Sequence, residues 1–170
     1  MLLKINPHQP QLRHIQSAVD ILRGGGVIAY PTDSVYAVGC SILDKKAINQ
    51  LYRIMRRVAP GPYTFILEAN NIVPKIMLTK RHTVGIRIPK NEICLALSEH
   101  LENPIISTSL HPHYGENMQD PVEIHDRLKG VIDLVIDGGE IYAEPSTVID
   151  LTGPSPEVVR EGAGDISFLA

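Results

Sequence analysis

The stretch that most constrains this chain is Gly24 to Cys40, GGGVIAYPTDSVYAVGC. After the glycine break, Val27, Ile28 and Ala29 form a short apolar run, as a buried strand begins. Pro31 has no N–H to give a ladder and ends that strand. Thr32, Asp33 and Ser34 follow, three short side chains that bond a ligand or their own backbone. Val35 to Val38 is apolar again, and Gly39 closes the segment. A strand that stops at a hydroxyl-rich turn and then resumes puts polar groups at the carboxyl edge of a sheet. Open α/β sheets bind ligands there.

The rest of the chain alternates in the same manner. Residues 10–23 read as an amphipathic helix, with Leu12, Ile15, Val19 and Leu22 at helical spacing and Gly24 as the stop. Asp44 suits the N-cap of a second helix that turns Ile48, Leu51, Tyr52 and Met55 to a core. Pro60-Gly61-Pro62 breaks the chain, and Tyr63 to Leu67 reads as a strand. Residues 72–81 read as a short helix, and Thr83 to Pro89 as a strand with Arg87 between two isoleucines. A third helix opens at Asn91, presenting Ile93, Leu95, Leu97 and Leu101. Further strands are expected at Pro104 to Thr108, Val131 to Ile136, Pro145 to Asp150 and Pro156 to Arg160. A loop over Leu110 to Pro121 and a short helix over 121–129 lie among them.

At 170 residues the chain suits one domain with one well-buried core, spanning 1–170. No apolar run reaches membrane-span length, and MLLKINPHQPQ has no apolar signal region, so a cytoplasmic protein is expected. Cys40 and Cys94 are then expected as free thiols. The net charge of −3 hides an asymmetry. From Arg53 to Lys90 eight basic residues face one acid, Glu68, whereas from Asn91 onward three face fifteen. A basic middle in an acidic chain points to a local polyanion site, and Arg53, Arg56, Arg57, Lys80 and Arg81 are its expected RNA contacts. The competing reading is a solvated face, with the three arginines answering a helix dipole.

Three strand edges present hydroxyls: Thr32 with Ser34, Ser107 to Ser109, and Ser146 with Thr147. Arg87 and Arg160 lie in or at the end of apolar strands. Hydroxyl donors with guanidinium forks suit carboxylates and phosphates. For Arg87 a structural ion pair competes with that reading. No serine sits in a G-x-S-x-G elbow and no glycine pattern matches a P-loop or dinucleotide fingerprint. His111-x-His113 with Cys40 or Cys94 lacks a structural-zinc spacing, so no protein-held metal is expected.

These residues carry a resemblance. PTDSVYAVG resembles the Pro-Thr-(Glu/Asp)-(Thr/Ser)-x-Tyr-x-x-Gly signature of the YrdC-like family, the threonylcarbamoyl-adenylate synthases of tRNA modification. GPYTFIL, TVGIRIP, AEPSTVIDLT and VVREGAGDI resemble, in order, four further elements of that family. The resemblance implies a single α/β domain, a twisted open mixed sheet with helices and a concave basic face. It implies that Thr32, Ser34, Arg87, Ser107 and Ser146 line a threonine pocket, and that Thr83, Ser109, His111 and Arg160 meet the nucleotide. The implied enzyme is an ATP-dependent nucleotidyltransferase joining L-threonine, bicarbonate and ATP, with Mg²⁺ as helper and double-stranded RNA or tRNA as partner.

STSLHP and PTDSVYA resemble the YciO-type branch of the family, and two departures from the family pattern stand beside them. The family's Ser-x-Asn reads Ser109-Leu110-His111, and its Lys-x-Arg element and following loop are absent after the second helix. The expected seam lies at Ile54 to Met55. Weak synthase activity is expected, and the alternative is a non-catalytic RNA-binding module of the same fold.

Overall fold

The computed structural model describes residues 1–41, 60–69, 73, 80–110, 119–141 and 144–169. The expected second helix from Asp44, the Ile54–Met55 seam, most of the 72–81 helix and most of the 110–121 loop lie outside them. The contacts divide the chain into two compact units, Met1–Ile42 with Asn91–Ala143, and Leu43–Lys90 with Glu144–Ala170.

The first unit holds a five-stranded mixed sheet in the order β1-β7-β2-β3-β6. Its strands are β1 (Leu2–Lys4), β2 (Ile28–Tyr30), β3 (Ala37–Ser41), β6 (Ile105–Ser109) and β7 (Leu134–Asp137). β1, β7 and β2 are parallel, and β3 is antiparallel to both β2 and β6, so β6 runs with β2. Both faces of the sheet are covered, which is why β2 and β7 read as unbroken apolar runs. Ile28, Tyr30, Leu134 and Ile136 pack with helices α1 (Leu12–Arg23) and α2 (Glu92–Leu101). Ala29 and Val135 pack on the other face with Tyr36, Leu110, Ile124 and Leu128 around α3 (Pro121–Arg127).

α1 buries Ile15, Ala18, Val19 and Leu22, a stripe one turn shorter than expected, because Leu12 at its first position is 62% exposed. Gly24 and Gly25 end it, Gly25 at φ +81, where a side chain would be strained. α2 begins where expected: the Asn91 side chain accepts from the N–H groups of Ile93 and Cys94. Such a cap contributes about 1 kcal/mol. Its buried stripe runs through Cys94 rather than Leu95. The Val131 strand is shifted likewise: Val131 is exposed, and the strand starts at Leu134.

The second unit holds a four-stranded sheet, β5-β4-β8-β9, from β4 (Tyr63–Glu68), β5 (Thr83–Arg87), β8 (Thr147–Asp150) and β9 (Glu157–Arg160). β4 alternates strictly, with Tyr63, Phe65 and Leu67 buried against Ile149, Phe168 and Leu169. Burying a side chain such as Phe65 contributes about 1.5–3 kcal/mol. Thr64 and Ile66 point to the opposite face. A bulge between Val148 and Ile149 pairs Arg160 with Val148 but Val158 with Ile149, so Val159 is left without a partner in the register. A 3-10 turn, Ser167–Leu169, closes the tail. Among the described residues no helix is long and apolar enough to cross a membrane.

Candidate functional site

In the first unit the carboxyl ends of β2, β6 and β7 lie at one edge of the sheet, as their shared direction requires. Thr32 and Ser34 follow β2, Ser107 to Ser109 end β6, and Gly138-Gly139 follow β7. Thr32 closes its own turn. Its Oγ1 donates to the Val35 carbonyl at 2.6 Å and accepts from the N–H groups of Ser34 and Val35. That short hydroxyl-backbone motif holds the segment after Pro31 in a fixed turn. Ser34 is buried, with its Oγ 3.4 Å from the Thr32 hydroxyl.

The turn is braced from two sides. The Cys94 thiol donates to the Pro31 carbonyl at 3.0 Å. The Tyr36 hydroxyl donates to the Gly139 carbonyl and accepts from the Gly138 N–H, and burial holds its pKa well above the ordinary phenol range. A Cβ on Gly138 would come within 2.7 Å of the Pro31 ring, so only glycine fits there.

Ser107 bonds the Tyr30 hydroxyl, reaching it past Gly39, its partner across β3. A Cβ on Gly39 would lie 2.6 Å from the Ile106 carbonyl and 2.8 Å from the Ser107 hydroxyl. Ser107 and Ser109 are both exposed and share that face of β6.

In the second unit four side chains form a polar group on the face opposite the core. Arg87 pairs with Thr64, Thr64 with Val148, and Val148 with Arg160, so one cross-strand row carries both arginines and Thr64. The Thr64 hydroxyl bonds the Ser146 hydroxyl at 2.8 Å. Arg160 donates from Nε and Nη2 to the Ser146 carbonyl, at 3.1 and 2.8 Å, and from Nη2 to its Oγ at 3.4 Å. The row lies at the amino ends of β4 and β8 and the carboxyl ends of β5 and β9. The carboxyl-edge rule therefore describes the hydroxyls of the first unit and not this row, in which the amino ends of β4 and β8 meet the carboxyl ends of β5 and β9. Thr83 does not join the row: it pairs with Glu68 at the far end of β5.

Of the expected RNA contacts, Arg53, Arg56 and Arg57 lie outside the described residues, as does His111. Lys80 is exposed. Arg81 is an exposed side chain in an ion pair at 3.2 Å with buried Asp150. Bonds from the Thr152 hydroxyl and N–H, then the Arg81 guanidinium, hold the Asp150 carboxyl below the usual carboxylate range.

Sequence reasoning missed Thr64 and Tyr30, and named Thr147 only as a hydroxyl at a strand edge. Thr64 had a signal, being a small hydroxyl residue inside the otherwise apolar and aromatic run YTFIL. The hydroxyls and guanidiniums of the row are a poor donor set for a protein-held Mg²⁺, which takes oxygen anions and water. Among the described residues no group of three acids, histidines or cysteines stands together. Mg²⁺ that arrived with ATP would be carried by the phosphates.

The model of the Sua5/YciO/YrdC family, described as "Telomere recombination", matches residues 20–59 and 49–162. The chain belongs to that family. It is 43% identical to YciO of Escherichia coli K12 over 95% of both chains. It is 28% identical to the threonylcarbamoyl-AMP synthase of Pyrococcus abyssi over 87% of this chain and 54% of that one. The crystal structure of E. coli YciO superposes with a TM-score of 0.89, covering 100% of this chain and 99% of that one at 42% identity. P. abyssi Sua5 complexed with L-threonine gives 0.83, covering 95% and 57% at 26% identity. The alignment with YciO is 196 positions long. Since 95% of 170 residues is about 161, about 35 aligned positions belong to YciO alone.

Proposed function

We propose that this chain binds L-threonine and ATP in the cytoplasm and joins them with bicarbonate as a slow threonylcarbamoyl-AMP synthase serving tRNA modification. The observation that carries the reading is the row of Arg87, Thr64 and Arg160 with Ser146 against it. A threonine complex of a family member supports it.

The chemistry asks for charge complementarity more than for a nucleophile on the protein. The threonine amine adds to bicarbonate with loss of water, forming the N-carboxylate. An oxygen of that carbamate attacks the α-phosphorus of ATP, and the bond to the departing pyrophosphate breaks. Every species on this route is an anion, so fixed guanidiniums and hydroxyls lower its barrier by positioning and electrostatics. In this reading Arg87 and Ser146 hold the threonine carboxylate, with Thr64 orienting Ser146. Arg160 offers Nη1, which carries no bond among the described residues, to a phosphate. In the first unit Thr32 and Ser34 shape their own turn.

A second reading, a non-catalytic RNA-binding module, is favoured by the positions that YciO has and this chain lacks. The family model meets the chain in two stretches that overlap over 49–59. We read this as one family domain missing an internal segment near residues 54–55, where the family's Lys-x-Arg element is expected. Calorimetric titration with L-threonine, MgATP and a short RNA duplex separates the two. Threonine and ATP binding, each tightened by the other, supports the synthase reading. RNA binding with neither small molecule supports the module.

A further inference from the structure

We propose that Thr147 is the positioning residue for Arg160, acting through the Gly162–Gly164 loop, and so sets affinity for the nucleotide. The last clause rests on the reading above. Thr147 is fully buried, yet its hydroxyl makes three bonds. It donates to the Gly164 carbonyl at 2.7 Å and accepts from the N–H groups of Gly162 and Gly164 at 3.1 and 2.9 Å. One hydroxyl therefore satisfies three backbone groups of the loop that directly follows Arg160.

The loop cannot sit elsewhere without moving the arginine's anchor. A Cβ on Gly162 would fall 2.2 Å from the Pro145 carbonyl and 2.9 Å from the Ser146 carbonyl, the group that Arg160 grips. A Cβ on Gly164 would fall 2.4 Å from the Tyr63 ring. The Tyr63 hydroxyl also donates to the Asp165 carbonyl at 3.0 Å, and the Ala163 N–H to the Pro145 carbonyl. Ser146 and Thr147 are adjacent in the chain, so the acceptor of Arg160 and the clasp of its loop form one backbone unit. With the clasp in place, Nε and Nη2 are fixed on Ser146 and the outer edge of the guanidinium has one direction. Without it, Gly162, Gly164 and the Gly164 carbonyl lose their partner, and glycine-rich backbone is the most costly to hold in order.

The test reads Arg160 itself. In protein labelled with ¹⁵N-arginine, the Arg160 Nε–H should exchange with solvent at least tenfold more slowly than free arginine. Thr147→Val should remove that protection and weaken MgATP binding at least tenfold, while Thr147→Ser, which keeps the hydroxyl, restores both. In an Arg160→Ala background Thr147→Val should cause no further loss of ATP affinity. Fast Nε–H exchange in the unsubstituted protein overturns the proposal, even if Thr147→Val does not fold. Unchanged exchange in Thr147→Val overturns it too, as does an equal loss of ATP affinity with and without Arg160. If the unsubstituted protein binds no ATP, the nucleotide clause and the synthase reading fall together, and the exchange result alone decides whether Thr147 positions Arg160.

Discussion

Arg87 and Arg160 lie in one cross-strand row, at the two edges of the second sheet, with Thr64 and Val148 between them. Three strand spacings of about 4.8 Å put their backbones about 14 Å apart on one face of the sheet. Seventy-three positions separate them in the chain. The sheet register alone puts them on one face.

Replacing either arginine by alanine should therefore weaken L-threonine or ATP binding at least tenfold in calorimetry. The melting temperature should stay within a few degrees, since neither side chain belongs to the core. Arg160→Lys should not restore affinity, because an ammonium cannot reproduce the two-nitrogen grip on Ser146.

Among the described residues the sequence reading found eight of the nine strands, each hydroxyl-bearing edge and the Asn91 cap, because period and turn chemistry are local. It missed β1, whose three residues form a strand only by lying parallel to β7. Division of the strands between two sheets was not legible either, since pairing depends on register between distant segments. The same holds for the site. Arg87 was visible as a charge among isoleucines, but its partner Thr64 and the loss of Thr83 from the row follow only from pairing. Thr32 was legible as a hydroxyl at a strand end. That its hydrogen bonds serve its own turn was not.

Asp150 sets a pH dependence. Its carboxyl is held below the ordinary value, about 3.9, first by Thr152 and then by Arg81. The stability it contributes is present above that ordinary value and is lost as pH falls through the lower folded one. Asp150→Asn should lower the urea midpoint at pH 7, and the gap from the parent protein should narrow steadily below about pH 4.

Glu102 ends α2 in the left-handed region at φ 60, which a side chain occupies at a cost. Glu102→Gly should raise stability in urea by about 0.5–1 kcal/mol, without changing ligand binding. A loss of stability would mean that the glutamate side chain makes a compensating contact.

If the basic middle of the chain meets RNA, Arg56→Glu with Arg57→Glu should weaken duplex binding and flatten its salt dependence, because neutralised phosphates set that slope. Filter binding from low to moderate salt reads both. An unchanged slope with an unchanged melting temperature makes these arginines solvent-facing charges alone.

The most direct test of synthase activity follows labelled bicarbonate with L-threonine and MgATP into threonylcarbamoyl-AMP, with pyrophosphate measured alongside. Slow formation of both products in equal amounts is expected, dependent on all three substrates and abolished by Arg87→Ala. Pyrophosphate without labelled product, or neither product from protein that binds RNA, would contradict it.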